Sequence, residues 1–476
     1  MTPLVKTGGL GDVLGALPKA LAELGHDVTV CIPNYEKDLD RNVVLRLLDL
    51  EGKVEVEGKT KTYSVFEAVI PDKSFKILLI GKDELFGRAG LYVDPKTGKD
   101  FQDNDVRFSF FAKAAIDVVQ KMKWRPDIIH AHDWQTGLVP VYLRTVEKDN
   151  HFFAKTKLVL TIHNMAYQGK FKKVRYRRLG LPEELIYATA PLEFYGEINF
   201  LKGGISFADK ITTVSRTYAR EIQGKLGCGL DGVLRYRSKD IVGIVNGVDY
   251  SVWSPSKDKL IPFRYRETNL AGKKKNKLEL LRQSGLSADE NVPLFGMVSR
   301  LVEQKGVGLV LEAAEQLFSL NIQLIILGTG DKKLVKGLKS LEKKHGNKLK
   351  VYLEFDERLA HLIEAGADIY LMPSLFEPCG LNQMYSLKYG TPPVVHKVGG
   401  LADTIIDYNE ETEAGTGFVF DEFKTYAMMQ AVERATNLFA KKRRWTKLMK
   451  NGMQQDFSWN TAAHNYVLLF ESLVKN

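Results

Sequence analysis

Cysteine is scarce in this 476-residue chain, with only Cys31, Cys228 and Cys379 present. They are too few and too far apart for a disulfide framework or a thiolate zinc site, so reduced thiols are expected. No apolar run approaches the roughly 18 to 20 residues that cross a bilayer, and no membrane partner is expected. The amino terminus lacks a basic stretch followed by an apolar core. The expected compartment is the cytosol, or a plastid for a plant source. Aromatic platforms are missing from the two lysine-rich stretches, "AGKKKNKLELLRQ" (271–283) and "DKKLVKGLKSLEKKHGNKLK" (331–350). The net charge of +10 is therefore read as solvated helix faces, and no nucleic-acid partner is expected.

The length exceeds what one hydrophobic core sustains, so two large domains are expected. Short β-branched runs alternate with amphipathic stretches. The first set is "DVTVCIP" (27–33), "FKILLI" (75–80), "DIIHA" (127–131), "KLVLTI" (157–162), "KITTVS" (210–215) and "IVGIVN" (241–246). The second is "PLFGMVS" (293–299), "QLIILG" (323–328), "KVYLEF" (350–355), "DIYLMP" (368–373) and "PPVVHK" (392–397). Runs this apolar, separated by helix-length segments, predict parallel strands covered on both faces by crossover helices. The fold class expected is α/β, with two doubly wound Rossmann-like domains over residues 1–250 and 251–456. Residues 457–476 predict a final helix, capped by Asn460, with an apolar stripe of Tyr466, Val467, Leu469, Phe470 and Leu473. Periodicity leaves open whether that helix packs on the second domain or returns to the first.

Ligands of open parallel sheets collect outside the carboxyl ends of the strands. Conspicuous polar groups lie there: "HAHDW" (130–134), "IHN" (162–164), "NGVD" (246–249), "SRLVEQKG" (299–306) and "PSLFEPCGLNQ" (373–383). If the two sheets face each other, these groups line one cleft. His130 and His132 form a His-x-His pair that begins some metal sites, but alternating strand residues share a face and are equally explained by packing; no metal is expected. Asp103 and Asp105 are read as acids at a helix start, where the dipole favours them, rather than as cation ligands. Arg300 and Lys305, between a strand and a helix, suit a diphosphate or are merely solvated cations. Glu377 sits on a stiff turn between Pro373 and Pro378, placed either to contact a sugar or to cap a helix. "KTGGLGDV" (6–13) is either a surface turn or a phosphate loop.

Eight ordered blocks then point one way: "KTGGLGDVLGALPKAL", "HAHDWQTGLVP", "TIHNMAYQG", "ITTVSRTYARE", "GIVNGVD", "VSRLVEQKG", "PSLFEPCGLNQMYSLKYGTPPVV" and "GGLADTI". Together they resemble the bacterial glycogen synthases and plant starch synthases, retaining glucosyltransferases of the two-domain GT-B fold that use ADP-glucose. The resemblance implies an ADP-glucose donor, a glycogen or α-1,4-glucan acceptor and no cofactor. It implies donor contacts for Lys6, Gly8 and Gly9, with Asp12 ordering their loop. It places Arg300 and Lys305 at the diphosphate, Glu377 beside the donor sugar, and the amides around Gly380, Leu381 and Asn382 at phosphate. His163 corresponds to the histidine at the reacting glucose, beside Asn164, while Asp133 and Asn246 match polar residues of the sugar site. Many related enzymes carry a second glutamate eight positions after the first; here that position is Tyr385, so ribose recognition is expected to differ. The family also places a strand before the KTGG loop, and only "MTPLV" precedes it here. The expectation is a first domain without its opening strand. Two other readings stay open: a UDP-glucose-preferring transferase, and a glucan-binding protein that has lost turnover.

Overall fold

A computed structural model describes residues 1–476 apart from 2, 3, 6, 7, 41, 71–73 and 476. The chain divides into two compact units. Unit 1 comprises Met1–Val214, Ala219–Gly247 and Trp459–Asn476, and unit 2 comprises Ser215–Tyr218 and Val248–Ser458.

In unit 1, strands β1 (Thr29–Pro33), β2 (Val44–Val56), β3 (Lys59–Val69) and β4 (Lys76–Gly81) form a sheet in the order β1-β4-β3-β2. The β1–β4 pair is parallel and the others antiparallel. The β2–β3 hairpin was not among the expected strands. Its residues alternate between charged and apolar instead of forming an apolar run, and its turn at Glu57 and Gly58 has φ of 59° and 66°, the doubly positive form that matches strand twist. A second sheet contains β5 (Ile128–His132), β6 (Lys157–Ile162), β10 (Lys210–Thr213) and β11 (Ile241–Gly243), all parallel in the order β11-β10-β6-β5. A small antiparallel sheet of β7 (Lys170–Lys172), β8 (Glu193–Phe194) and β9 (Glu197–Asn199) lies between β6 and β10 in the chain. Among the described residues no strand pairs with the outer edge of β1 or of β5.

Helix Asn104–Lys121 buries Phe108, Phe110 and Phe111. Its fully buried Asp105 is paired with Arg175 at 3.1 Å and Arg178 at 3.7 Å, and Asp103 pairs with Arg88. These acids thus join separate segments, a role beyond the expected interaction with the helix dipole. Helix Trp459–Val474 packs Tyr466, Leu469 and Leu473 against Val13, Leu17 and Leu21 of helix Gly9–Glu23 and against Val159 and Ile244. Asn460 is within that helix's first turn and is not its cap, because the helix opens one residue earlier, at Trp459.

Unit 2 has one parallel six-stranded sheet of β12 (Leu294–Val298), β13 (Gln323–Leu327), β14 (Leu349–Tyr352), β15 (Ile369–Met372), β16 (Pro393–His396) and β17 (Phe418–Phe420). The order β14-β13-β12-β15-β16-β17 reverses direction between β12 and β15, the switch point at which doubly wound sheets bind ligands. Pairing there is short: only Phe295 with Ile369 and Gly296 with Tyr370. At such a switch point the loops that follow the neighbouring strands run to opposite faces of the sheet, which leaves a crevice between them. Helix Ala271–Ser284 departs from the expected solvated face, because two of its lysines turn inward. Lys273 donates to Thr391 Oγ1 at 2.6 Å and the Ala365 carbonyl at 3.2 Å, while Lys277 pairs with Asp368 at 2.6 Å.

Candidate active site

The crevice of unit 2 is built by the loops that follow β12, β15 and β16. Arg300 and Lys305 lie on the first, Glu377 and Gly380 on the second, and Gly399 and Gly400 follow β16. Backbone fit locks these loops together. Gly306 has φ of 73°, and a Cβ there would lie 1.9 Å from the Pro373 carbonyl oxygen; at Gly399 it would lie 1.9 Å from that of Glu377. No other residue type fits either approach. Leu375 N donates to the Gln304 carbonyl at 2.9 Å, Gln304 Nε2 to the Phe376 carbonyl at 3.2 Å, and Gly400 N to the Glu377 carbonyl at 3.0 Å.

The two cations expected at a diphosphate are differently placed. Arg300 is exposed and makes no ion pair among the described residues. Lys305 donates to Glu377 Oε2 at 2.5 Å, and Ser374 Oγ donates to the same oxygen at 3.0 Å. Sequence reading found Lys305 and Glu377 but not their pairing, which joins positions 72 residues apart. It missed Ser374, whose only signal was its place in "PSLFEP", and His396, whose Nδ1 lies 2.9 Å from the Ser374 carbonyl. Gly380, Leu381 and Asn382 lead into helix Asn382–Lys388. Tyr385 on that helix lies flat against Trp253, with ring centres 4.0 Å apart, and Trp253 stacks on His361 at 3.7 Å.

In unit 1, Asp133 follows β5 with φ of 56° and ψ of −171°, a costly conformation for any residue but glycine. The turn directs its carboxylate to the end of β6, where Oδ1 accepts the His163 N–H at 2.7 Å. Burial pushes the Asp133 carboxyl up to about 7, against the lowering effect of the His163 and Asn164 amides. His163 Nε2 lies 3.0 Å from His132 Nδ1. Burial holds His163 well below the ordinary histidine range and lowers His132 to about 4, so both rings are neutral at pH 7 and one donates to the other. A neutral imidazole fixed in this way can exchange hydrogen bonds with a sugar hydroxyl without bringing charge.

His130 has a structural place. Its Nε2 meets Thr161 Oγ1 at 2.6 Å and its ring packs on Tyr466 and Phe470. Asn164 Oδ1 accepts from Ala166 N at 3.0 Å, closing a local turn. Asn246 is buried, and its Oδ1 takes no hydrogen bond among the described residues. Gly8 and Gly9 open helix Gly9–Glu23, with Asp12 in its first turn. Lys6 lies outside the described residues. Among the described residues no cluster of three His, Cys, Asp or Glu side chains could hold a metal ion, and no helix is long and apolar enough to cross a membrane.

Known proteins share both units. The family model of the starch synthase catalytic domain matches residues 1–236, and that of glycosyl transferases group 1 matches 281–451. Glycogen synthase 2 of Geobacter sulfurreducens is 43% identical, with 99% of this chain and 96% of that protein covered. The glycogen synthase of Opitutus terrae is 42% identical over 98% of this chain and 97% of its own. The catalytic domain of starch synthase IV from Arabidopsis thaliana, solved with ADP and acarbose bound, superposes with a TM-score of 0.89 at 32% identity, covering 100% of this chain and 98% of that one. Sucrose-phosphate synthase from Thermosynechococcus elongatus shares the fold at a TM-score of 0.61 and 17% identity, covering 99% of this chain and 96% of that one. With such likeness along its whole length, the chain belongs to the glycogen and starch synthase family and is a glycosyltransferase of the GT-B fold.

Proposed function

We propose that the protein transfers glucose from ADP-glucose to the non-reducing end of an α-1,4-glucan with retention of configuration. The observation that carries this reading is the contact of Lys305 with Glu377 beside exposed Arg300, on the loops that follow β12 and β15 at the switch point of the sheet. Breaking the bond from the anomeric carbon to phosphate leaves a nucleoside diphosphate with added negative charge and a sugar with oxocarbenium character. Arg300, Lys305 and the amides around Gly380, Leu381 and Asn382 stabilise the first. Glu377, already held by Lys305 and Ser374, supports the second. The arriving phosphate gives Lys305 a second anionic partner.

His163, oriented by Asp133 and His132, bonds the reacting glucose, with Asn164 and Asn246 as further sugar contacts. Lys6, Gly8 and Gly9 contact the donor, and Asp12, in the first turn of helix Gly9–Glu23, orders the backbone there. The adenine choice is supported by the ADP bound in the plant starch synthase structure. No side chain among these residues is assigned as a covalent nucleophile, and attack occurs on the face that the diphosphate leaves. The decisive experiment is donor competition among ADP-, UDP- and GDP-glucose with glycogen as primer. ADP-glucose is expected to lead by about tenfold or more in kcat/KM. Equal use of UDP-glucose refutes the donor choice, and glucan binding without ADP release refutes turnover.

A further inference from the structure

At the floor of the unit 2 crevice, β12 and β15 cease to pair after Gly296 and Tyr370. Beyond that point the sheet itself offers the edge of Val298 facing β15 no partner. The Tyr370 hydroxyl takes over: it accepts from Val298 N at 3.1 Å and faces the Val298 carbonyl at 3.1 Å. It also accepts from Asn382 Nδ2 at 2.7 Å, while the same Nδ2 donates to the Val298 carbonyl at 3.2 Å. A carbonyl only accepts, so the nitrogen edge of the Asn382 amide must face inward, and both its hydrogens are used there. Burial and the neighbouring Glu364 keep the Tyr370 phenol protonated, with a hydrogen to donate as well as lone pairs that accept. Val298 stands two residues before Arg300, and Asn382 begins the helix after the Glu377 loop. One hydroxyl thus ties the start of the Arg300 loop to the end of the Glu377 loop.

We propose that Tyr370 is a positioning residue for donor binding: its hydroxyl sets the spacing between the Arg300 loop and the Asn382 helix start, and with it the fit to the diphosphate. The inference rests on the reading that the diphosphate lies over this crevice. Tyr370→Phe keeps the ring and removes the link, leaving Val298 N–H without a partner and Asn382 with a single tether.

The experiment measures donor and glucan KM, kcat and melting temperature for Tyr370→Phe, Asn382→Ala, the double variant and Arg300→Ala. Expected is a rise of about tenfold in donor KM for Tyr370→Phe, with glucan KM within about twofold. The double variant should be no worse than the more impaired single one, since both changes break one network. Unchanged donor KM in Tyr370→Phe, or effects that multiply in the double variant, overturns the proposal. Asn382→Ala supplies the same donor KM test should Tyr370→Phe fail to fold. Arg300→Ala separates the two levels. If it raises donor KM while Tyr370→Phe does not, the positioning role alone fails; if it too leaves donor KM unchanged, the assignment of the crevice fails.

Discussion

Replacing Lys305 by alanine should damage folding as well as catalysis, and the two losses can be separated. The Lys305 side chain is 17% exposed and that of Glu377 7%, so neither residue is well solvated. Removing Lys305 leaves Glu377, whose side chain is largely buried, with Ser374 as its remaining side-chain donor among the described residues. Breaking a buried pair from one side costs about 3–5 kcal/mol, since the remaining charge stays desolvated. For a unit of this size, each kcal/mol lowers the melting temperature by roughly 2–4 °C, so a fall of about 10 °C is expected. Lys305→Met with Glu377→Leu removes both charges and should recover most of that loss, as apolar replacements of buried pairs commonly do. Activity should not recover, because the diphosphate has lost a cation and the sugar its carboxylate. Thermal unfolding followed by circular dichroism, alongside incorporation of labelled glucose into glycogen, reads both quantities. A single variant as stable as the parent, or a double variant as unstable as the single one, would refute the reasoning.

Three further outcomes are expected. The Asp133 carboxyl is raised from 3.8 to about 7, roughly three pH units, so ionising it in the folded state costs about 4 kcal/mol that is absent below pH 4 and complete above pH 7. Asp133→Asn should therefore gain melting temperature relative to the parent as pH rises from 4 to 8, and a difference independent of pH would contradict this. Lys273 is lowered from 10.5 to about 7 by burial, so its protonated form burdens the fold most below pH 7 and the burden fades toward pH 10. The melting-temperature advantage of Lys273→Met over the parent should accordingly shrink between pH 6.5 and pH 10; an advantage that grows would reverse the sign argued here. Gly399→Ala drives a methyl to 1.9 Å from the Glu377 carbonyl and should raise donor KM by about tenfold or more while glucan KM holds, as titration of each substrate will show.

The fold class was legible because buried parallel strands are written as apolar runs, and those of unit 2 recur at β12, β13, β14, β15 and β16. The β2–β3 hairpin was illegible to that search: a strand half-buried on one face alternates, and "KVEVEGKTKTYSV" reads as a polar stretch. Lys273 and Lys277 could not be told from their neighbours in "GKKKNK", since a lysine turns inward only where acceptors such as Thr391 and Asp368, about a hundred residues away, meet it. The same limit applied at the site. Arg300, Lys305, Glu377 and His163 were marked by residue type at strand ends. The pairing of Lys305 with Glu377, the contact of His132 with His163 and the hold of Tyr370 on Val298 are products of topology, which sets strands side by side that the chain keeps apart.

Apart from Ser215–Tyr218, unit 2 is one insertion: the chain leaves unit 1 at Gly247 and re-enters it at Trp459, and Val248 N bonds the Phe457 carbonyl at 2.7 Å beside those two crossings. A ribosome therefore delivers the earlier parts of unit 1 more than two hundred residues before the helix that covers Val13, Leu17 and Leu21. Unit 2 can close on itself while its predecessor still waits with that apolar seam uncovered. The nascent chain has its greatest need of a chaperone in that interval, and loss of residues 459–474 would make the exposure permanent.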